Sequence, residues 1–135
     1  MGTLIDTSVF IAAERKSFPW SQALDEINPE VVAIASITAS ELLHGVHRAQ
    51  TTKQRNLREA FVERILAAVL VLSFDLLFAR IHARLWAHLR AQGKTVGSHD
   101  LMIAAVALAN DLSVITQDKR SFPRIDELKV HVLSA

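Results

Sequence analysis

The sequence predicts one α/β domain over residues 1–135, with a central parallel sheet of four to five short strands and helices on both faces. Apolar runs of strand length alternate with longer segments of helical periodicity, and this alternation is typical of parallel sheets. The run Val31–Ala35 is continuously apolar, as expected of a strand that is buried on both faces. Half of the residues are hydrophobic, with only 4 Gly and 3 Pro, so a compact core is expected.

The first part of the chain contains two predicted strands and two predicted helices. In chain order these are a strand Thr3–Asp6, a helix Thr7–Arg15, a helix from Pro19 to just before Asn28, and the strand Val31–Ala35. Pro19 suits a first helical turn, because an N–H group there has no helical partner. The residue that precedes Pro29 disfavours the helical conformation, so the second helix is expected to end before it.

The remaining part contains four predicted helices and three predicted strands. Thr38, followed three residues later by Glu41, fits a capping box at a helix start, and Thr51 or Thr52 can cap the next helix. Gly93 is well placed to end the long helix Asp75–Gln92. The other elements are a strand Val69–Leu72, a nearly wholly apolar helix Leu101–Leu108 that opens at Gly97–Asp100, a strand Val114–Thr116, a loop Gln117–Pro123 and a strand Val130–Leu133.

Composition excludes several kinds of site and location. The chain has no cysteine, so disulfides, thiolate zinc sites and cysteine nucleophiles are ruled out. Its longest strongly apolar stretch, Ile65–Phe74, has about half the length that a membrane-spanning helix needs. No basic segment precedes an apolar run at the N-terminus, as a signal peptide would require. We therefore expect a soluble, cytoplasmic protein without a membrane partner.

Four acidic residues have equivalent positions in the predicted fold. Asp6 ends the first strand, and Asp118 lies two residues beyond the strand that closes at Thr116. Glu41 and Asp100 fall in the first turns of predicted helices. In a parallel α/β sheet the carboxyl ends of strands and the N-termini of the following helices meet at one edge. We therefore expect all four carboxylates in one pocket.

Each acid also has a purely structural explanation. Asp6 can cap a helix and Glu41 can complete a capping box, whereas Asp100 can favour a helix dipole and Asp118 can form a turn. Together, however, they repel. Two carboxylates about 5 Å apart cost roughly 3 kcal/mol at an effective dielectric near 20, and a helix N-terminus relieves only about 0.3–1 kcal/mol. A divalent cation would offset the remainder, and oxygen-only ligands suit Mg²⁺ or Mn²⁺.

The segments around these acids resemble the four acidic motifs of PIN-domain proteins. They read Leu-Ile-Asp-Thr-Ser up to Ser8, Thr-Ala-Ser-Glu-Leu-Leu-His-Gly around Glu41, Asp-Leu-Met-Ile-Ala-Ala from Asp100, and Thr-Gln-Asp-Lys-Arg-Ser-Phe around Asp118. The motifs occur in the family's order and at its usual separations, and the resemblance covers essentially the whole chain. At this length the chain is most similar to the VapC-type toxins of bacterial toxin–antitoxin pairs.

This resemblance implies a metal-dependent endoribonuclease that hydrolyses RNA phosphodiester bonds as a growth-inhibiting toxin. A cognate VapB-type antitoxin would neutralise it, and a homodimer through exposed helix faces is also implied. Asp6 and Asp100 match the positions that most often bind the metal, Mg²⁺ (or Mn²⁺). Asp118 would bind a second metal or hold a metal water, and Glu41 would orient or deprotonate the attacking water. These four acids are the expected catalytic residues.

The hydroxyl residues within the motifs have a supporting task. Ser8 and Thr116 can donate hydrogen bonds to the metal-binding carboxylates, and such outer contacts fix the orientation of metal ligands. Ser8 stands where relatives can carry Asn. The sequence thus predicts the carboxylates together with the hydroxyl groups that hold them.

The middle of the chain is basic. Residues 44–94 carry nine basic and three acidic side chains. A basic segment near an acidic site can bind an RNA backbone, although solvated helix faces have the same composition. Arg80 and Arg84, four residues apart on one predicted helical face, are the first candidates for contact with RNA or a partner.

The histidines and tryptophans carry weaker signals. His44 and His47 are three apart on a helix, but no third zinc ligand accompanies them, so surface positions are expected. His99 adjoins Asp100 and can contact a substrate phosphate. Trp20 and Trp86 are expected in the core or at an interface, with base stacking as the alternative.

Two other functions remain open on the sequence. A Mg²⁺-dependent phosphotransfer or phosphatase domain of the haloacid-dehalogenase type would use Asp-x-Asp, but the third position here is Ser8. A binding module could instead receive a partner's basic segment in the acid pocket without hydrolysis. Hydrolysis that requires Mg²⁺ or Mn²⁺ and stops with EDTA would distinguish a nuclease from a binding module.

Overall fold

The computed structural model describes residues 2–133. The strands are β1 (Thr3–Ile5), β2 (Val32–Ala35), β3 (Leu70–Leu72), β4 (Ser113–Thr116) and β5 (Val130–Val132). The α-helices are α1 (Thr7–Lys16), α2 (Ser36–His47), α3 (Thr52–Ala68), α4 (Leu76–Ala91) and α5 (Ser98–Ala109). Two short 3₁₀ helices, Trp20–Leu24 and Phe122–Arg124, lie between them.

The five strands form one sheet in the order β3-β2-β1-β4-β5, and every pairing is parallel. This confirms the predicted parallel α/β fold. β1 is the central strand. The strands that follow it first in the chain, β2 and β3, lie on one side, and the later strands β4 and β5 lie on the other. Ligands of open α/β sheets bind beyond the carboxyl end of the strands at such a switch in strand order. Asp6 follows β1 directly and therefore lies at this switch in strand order.

The sheet separates two layers of core, which confirms that helices cover both faces. Because successive side chains of a strand point to opposite faces, Leu4 packs in the layer formed with α4 and α5, whereas Ile5 packs in the layer formed with α1, α2 and α3. The segment Ile103–Ala107 of α5 is fully buried, so this apolar helix is central, as predicted. Within residues 2–133, no helix is long and apolar enough to cross a bilayer.

Several predicted helix boundaries are confirmed in atomic detail. The side chain of Thr51 caps α3 by accepting a hydrogen bond from the Gln54 N–H group, and Asp75 caps α4 by accepting one from the Phe78 N–H group. Gly93 follows α4 with φ +68°, a conformation that glycine adopts without strain. The chain therefore leaves this helix where the sequence predicts.

The predicted helix after Pro19 is wrong. Only the 3₁₀ turn Trp20–Leu24 forms there, and it buries none of its residues. Most helical stability in proteins comes from burial of an apolar face, and the apolar side chains of this segment, Trp20, Ala23, Leu24 and Ile27, pack against the core only partly buried. Asn28 then adopts φ +44° before Pro29, which ends any helical continuation.

The predicted capping box at Thr38 is also wrong. α2 begins at Ser36, directly after β2, and its N-cap Ala35 has no side-chain cap. Thr38 is fully buried inside the helix, and Glu41 consequently lies in the second turn. At the N-terminus, β1 ends at Ile5, so Asp6 is the N-cap residue of α1 and not the last residue of the strand.

Candidate active site

The four predicted acidic residues come together at the carboxyl edge of the sheet. The charges of Asp6, Asp118 and Glu41 all act on Asp100 and raise its pKa. Such mutual influence requires the carboxylates to be close in space. The acids thus lie near enough for three charges to act on Asp100, and their joint role as a site stays a prediction.

Asp6 is the most buried of the four, with an exposed fraction of 4 %. The Ser8 hydroxyl donates to Asp6 Oδ2 across 2.6 Å, and the Thr116 hydroxyl donates to the same oxygen across 2.9 Å. Burial raises the pKa of Asp6 above its ordinary value, although both hydrogen bonds act in the opposite direction. The backbone N–H group of Ser8 acts on the pKa in the same direction as the two hydroxyl groups, so several donors favour the charged carboxylate.

Backbone amides extend this hydrogen bonding outward. The N–H group of Gln117 donates to the Ser8 hydroxyl, and the N–H group of Asp118 donates to the Thr116 hydroxyl, each across 2.9 Å. Each hydroxyl oxygen therefore accepts from the loop after β4 while its proton points to Asp6. Chains of hydrogen bonds polarise one another, so the loop orients the carboxylate through two hydroxyl groups.

Asp100 has a strongly raised pKa. It lies in the first turn of α5 and is half-buried. Burial and the neighbouring charges, Asp6 foremost among them, raise its pKa to about 6, although the Ser121 hydroxyl partly opposes them through a hydrogen bond. At neutral pH this carboxylate is therefore charged against the repulsion of its neighbours.

Glu41 is held by groups from two other helices. The Thr7 hydroxyl donates to Glu41 Oε1 across 2.8 Å, and His99 Nδ1 lies 3.4 Å from Glu41 Oε2. The hydroxyl of the buried Thr38 lies 3.1 Å from the Thr7 hydroxyl, so Thr7 has a second polar neighbour on α2. Glu41 thus has one fixed oxygen and one oxygen that faces an exposed imidazole, which suits a carboxylate that orients a small molecule.

Asp118 is both a turn former and a member of the cluster. Its Oδ1 accepts hydrogen bonds from the backbone N–H groups of Arg120, at 2.7 Å, and Ser121, at 3.2 Å. Burial acts to raise the pKa of Asp118, but these hydrogen bonds, the Ser121 hydroxyl and the charge of Arg120 outweigh it and lower the pKa. The structural explanation of this residue is therefore correct, and its charge still acts on Asp100.

The donor set fits a hard divalent cation, which prefers oxygen ligands. A cation would relieve the repulsion that raises the pKa of Asp100 and would take the place of lost hydration around the buried Asp6. Within residues 2–133, no three His, Cys, Asp or Glu side chains are close enough to hold an ion in their present positions. The charges of the carboxylates thus act on one another, and side-chain movements are needed before three of them could share one ion.

The other predicted side chains lie outside this cluster. Arg84 forms a bidentate ion pair with Glu127, with Nη1–Oε1 at 2.7 Å and Nη2–Oε2 at 3.0 Å. This contact raises the pKa of Arg84 and lowers that of Glu127. Arg80 is exposed one turn earlier on α4, and His44 and His47 are exposed on α2, as predicted. Contact of either arginine with RNA stays a prediction.

Sequence reasoning missed two hydroxyl residues of the site. Thr7 fixes Glu41, and Ser121 donates its backbone N–H group to Asp118 Oδ1, while its hydroxyl acts to lower the pKa of both Asp100 and Asp118. Thr7 attracts little notice because a hydroxyl next to a helix start suggests capping. Ser121 could have been found as a third residue after an aspartate, a common position for turn hydrogen bonds.

Comparison with known proteins agrees with this geometry. The profile of the PIN domain matches residues 3–128. "Ribonuclease VapC5" of Mycobacterium tuberculosis is 44% identical over 116 residues, which cover 85% of this chain and 82% of that protein. "Ribonuclease VapC" of Rickettsia bellii is 32% identical over 133 residues, covering 96% and 95%.

A solved structure leads to the same group. The crystal structure of VapBC-5 from Mycobacterium tuberculosis, a member of the VapBC family of toxin–antitoxin systems, superposes with a TM-score of 0.76 at 37% identity. The match covers 99% of this chain and 98% of the other. Together with the profile match and the placement of the four acids, it shows that this chain belongs to the PIN-domain family, in its VapC branch.

Proposed function

We propose that this chain is a metal-dependent endoribonuclease that hydrolyses RNA phosphodiester bonds and acts as the toxin of a toxin–antitoxin pair. The observation that carries the proposal is the meeting of Asp6, Glu41, Asp100 and Asp118 at the switch point of the sheet, where their charges raise the pKa of Asp100. The relatives named as VapC ribonucleases support the same activity.

Asp6 and Asp100 are the proposed ligands of Mg²⁺ or Mn²⁺. When bound, such an ion lowers the pKa of water and stabilises negative charge on phosphate oxygens. The Ser8 and Thr116 hydroxyl groups would orient the Asp6 carboxylate through their hydrogen bonds to Oδ2. The backbone N–H group of Ser121 donates to Asp118 Oδ1 and helps to hold that carboxylate at the edge of the cluster.

Glu41 is the proposed group that orients the attacking water and accepts its proton. The Thr7 hydroxyl fixes Oε1, so Oε2 is the oxygen available to the water. His99 lies 3.4 Å from that oxygen and is exposed, which places its imidazole where a substrate phosphate would approach. A general base must lie within hydrogen-bond reach of the proton that it accepts, and the Thr7 contact limits how far Glu41 can swing away.

The test is cleavage of total RNA by the purified protein, with new 5′ ends mapped by sequencing. Cleavage is expected with Mg²⁺ or Mn²⁺ and none with EDTA. Glu41→Gln should abolish it, whereas Glu59→Gln, an exposed carboxylate on α3, should have no effect and serves as the matched control. Metal-independent cleavage, or full activity of Glu41→Gln, would contradict the proposal. The haloacid-dehalogenase alternative has no support, because Ser8 donates to Asp6 and supplies no second acid.

The proposed partners are RNA, a cognate VapB-type antitoxin and a second copy of the chain. The solved VapBC-5 structure supports the antitoxin. A basic side chain from its tail could form charge-assisted hydrogen bonds with two carboxylates of the cluster. Exposed apolar side chains at β3 and the start of α4 are the proposed dimer surface, and they comprise Leu70, Val71, Phe74, Leu76 and Leu77.

Co-expression with the product of a neighbouring small gene should give a heavier complex that no longer cleaves RNA. Light scattering of the isolated chain measures its oligomeric state, and Leu77→Asp should convert a dimer into a monomer. A chain that stays active in the presence of the neighbouring product would contradict the antitoxin assignment, while the nuclease assignment would stand.

A further inference from the structure

A concavity lies between α4 and the start of α5, the helix that carries Asp100. Its volume is ≈ 350 Å³, and its apolar lining includes Trp86, Leu89, Val96, Leu101 and Met102. This size lies within the range of small-molecule sites, which are mostly apolar with a few polar groups. None of these side chains takes part in the proposed hydrolysis.

The wall of this concavity is an exposed indole. Trp86 is 52 % exposed, although tryptophan usually buries most of its large apolar surface. The ring of His82 lies between Phe78 and Trp86, with centroid separations of 5.4 Å and 5.9 Å. The indole is thus supported along α4 by other rings while much of its surface stays open. Such a supported, exposed ring resembles the platforms on which nucleobases stack.

The rim of the concavity is cationic. Arg90 and Lys94 line it, and no carboxylate does. Lys94 Nζ donates to the backbone carbonyl of Arg124 across 3.4 Å and lies 3.9 Å from Asp126 Oδ1, whereas Arg90 has no ion-pair partner within residues 2–133. The charge of this rim is complementary to a phosphate.

The concavity adjoins the catalytic edge. Ser98 lines it and is the first residue of α5, and Asp100 lies in the same helical turn. Gly97, the N-cap of α5, is close enough that a Cβ atom added there would lie 3.5 Å from Asp100 Oδ2. The concavity and Asp100 therefore meet at the first turn of α5.

We propose that this concavity binds one unpaired nucleobase of the RNA substrate, stacked on the Trp86 indole, with the adjacent phosphate held by Arg90 and Lys94. The proposal rests on the proposed ribonuclease function and adds a subsite to it. Only a base that has left its helical stack can present its face to a side chain, so the site selects single-stranded segments. Every base has such a face, so this contact by itself reads little sequence.

The first experiment uses the indole as its own reporter. The chain has two tryptophans, and Trp20→Phe leaves Trp86 as the only one. In EDTA, which prevents cleavage, this variant is titrated with a single-stranded RNA of ten nucleotides and mixed sequence, and with an abasic ribose-phosphate oligomer of the same length. Quenching of the Trp86 fluorescence by the RNA, and little by the abasic oligomer, is the expected result.

The second experiment compares affinities for the same RNA. Trp86→Ala is expected to weaken binding about tenfold, the lower range for loss of one stacked base, and Trp86→Phe is expected to retain most of the affinity. Leu57→Ala is the matched control, since Leu57 is 66 % exposed on α3 and lies outside both the concavity and the proposed dimer surface. Arg90→Gln should reduce the slope of log affinity against log salt by about one, as expected for the loss of one phosphate contact.

Three results would overturn the proposal. The first is equal quenching by the abasic oligomer, and the second is an unchanged RNA affinity of Trp86→Ala. The third is that Trp86→Ala converts a dimer into a monomer with no loss of RNA affinity per chain. The last result would make this face an interface between copies. Should Trp86→Ala fail to fold, the comparison of quenching by the two oligomers still decides. Glu41→Gln tests the nuclease function separately, so either proposal can fail alone.

Discussion

The Thr7 hydroxyl donates to Glu41 Oε1 across 2.8 Å and so joins the first turn of α1 to the second turn of α2. The two residues are 34 positions apart in the chain. His99 lies 3.4 Å from the other oxygen of Glu41, but the hydrogen bond from Thr7 is the shorter contact and comes from the helix that Asp6 caps. Thr7 is therefore a positioning residue for the proposed water-orienting group.

Replacement of Thr7 by Val removes the hydroxyl group and keeps the shape of the side chain. Since a hydrogen bond to a charged group is worth about 1.5–3 kcal/mol, kcat is expected to fall about tenfold or more, with KM little changed. Thr7→Ser restores the donor and should recover most of the activity. Equal losses in Thr7→Val and Thr7→Ser would show that packing, and not the hydrogen bond, matters at this position.

Ser8→Ala and Thr116→Val each remove one donor from Asp6 Oδ2. Because such outer contacts orient metal ligands, each change is expected to weaken Mn²⁺ binding about 10- to 100-fold, as measured by titration calorimetry. Ser40→Ala, an exposed hydroxyl on α2, is the matched control. The two effects should not add, since both hydroxyl groups act on one oxygen. Unchanged Mn²⁺ affinity in both variants would remove Asp6 from the metal site.

Asp100→Asn should stabilise the metal-free protein at neutral pH. The pKa of Asp100 is raised from 3.8 to about 6 in the folded protein, so the folded state binds more protons than the unfolded state between these values. Stability therefore falls as pH rises from about 4 to 6 and stays low above it. A shift of this size is worth on the order of 1–3 kcal/mol after allowance for partial exposure.

The measurement is the Tm of both proteins in EDTA across this pH range. Asp100→Asn should melt higher than the parent at pH above about 6, and the difference should vanish below about pH 3, where the parent carboxyl is protonated in both states. Mg²⁺ should raise the Tm of the parent more than that of the variant. A difference that does not depend on pH would contradict the electrostatic explanation.

Arg80 and Arg84 should contribute unequally to RNA binding. Arg84 is engaged with Glu127 through both terminal nitrogens, whereas Arg80 has no ion pair within residues 2–133. Arg80→Gln is therefore expected to reduce the slope of log affinity against log salt by about one, and Arg84→Gln by less. Glu127→Gln frees the Arg84 side chain and serves as the control. Equal slopes in the parent and all three variants would mean that this face of α4 does not contact RNA.

The sequence by itself determined the fold class, the order of elements and the four acids at the sheet edge. Periodicity and capping residues are local signals, so the strands near Leu4, Ile34 and Ile115 and the long helix before Gly93 are encoded within a few residues of where they form. Convergence of the acids then follows from parallel topology alone, because every strand of a parallel sheet ends at the same edge.

Only the tertiary structure decided which atoms meet there. Thr7 reaches Glu41 across 34 positions, Arg84 reaches Glu127 across 43, and Ser8 meets Thr116 across 108. These contacts depend on strand order and helix packing, which bring together residues that share no local pattern. The same packing left Trp86 exposed, started α2 at Ser36 and reduced the segment after Pro19 to one 3₁₀ turn. Burial, which no single segment determines, is the physical reason in each case.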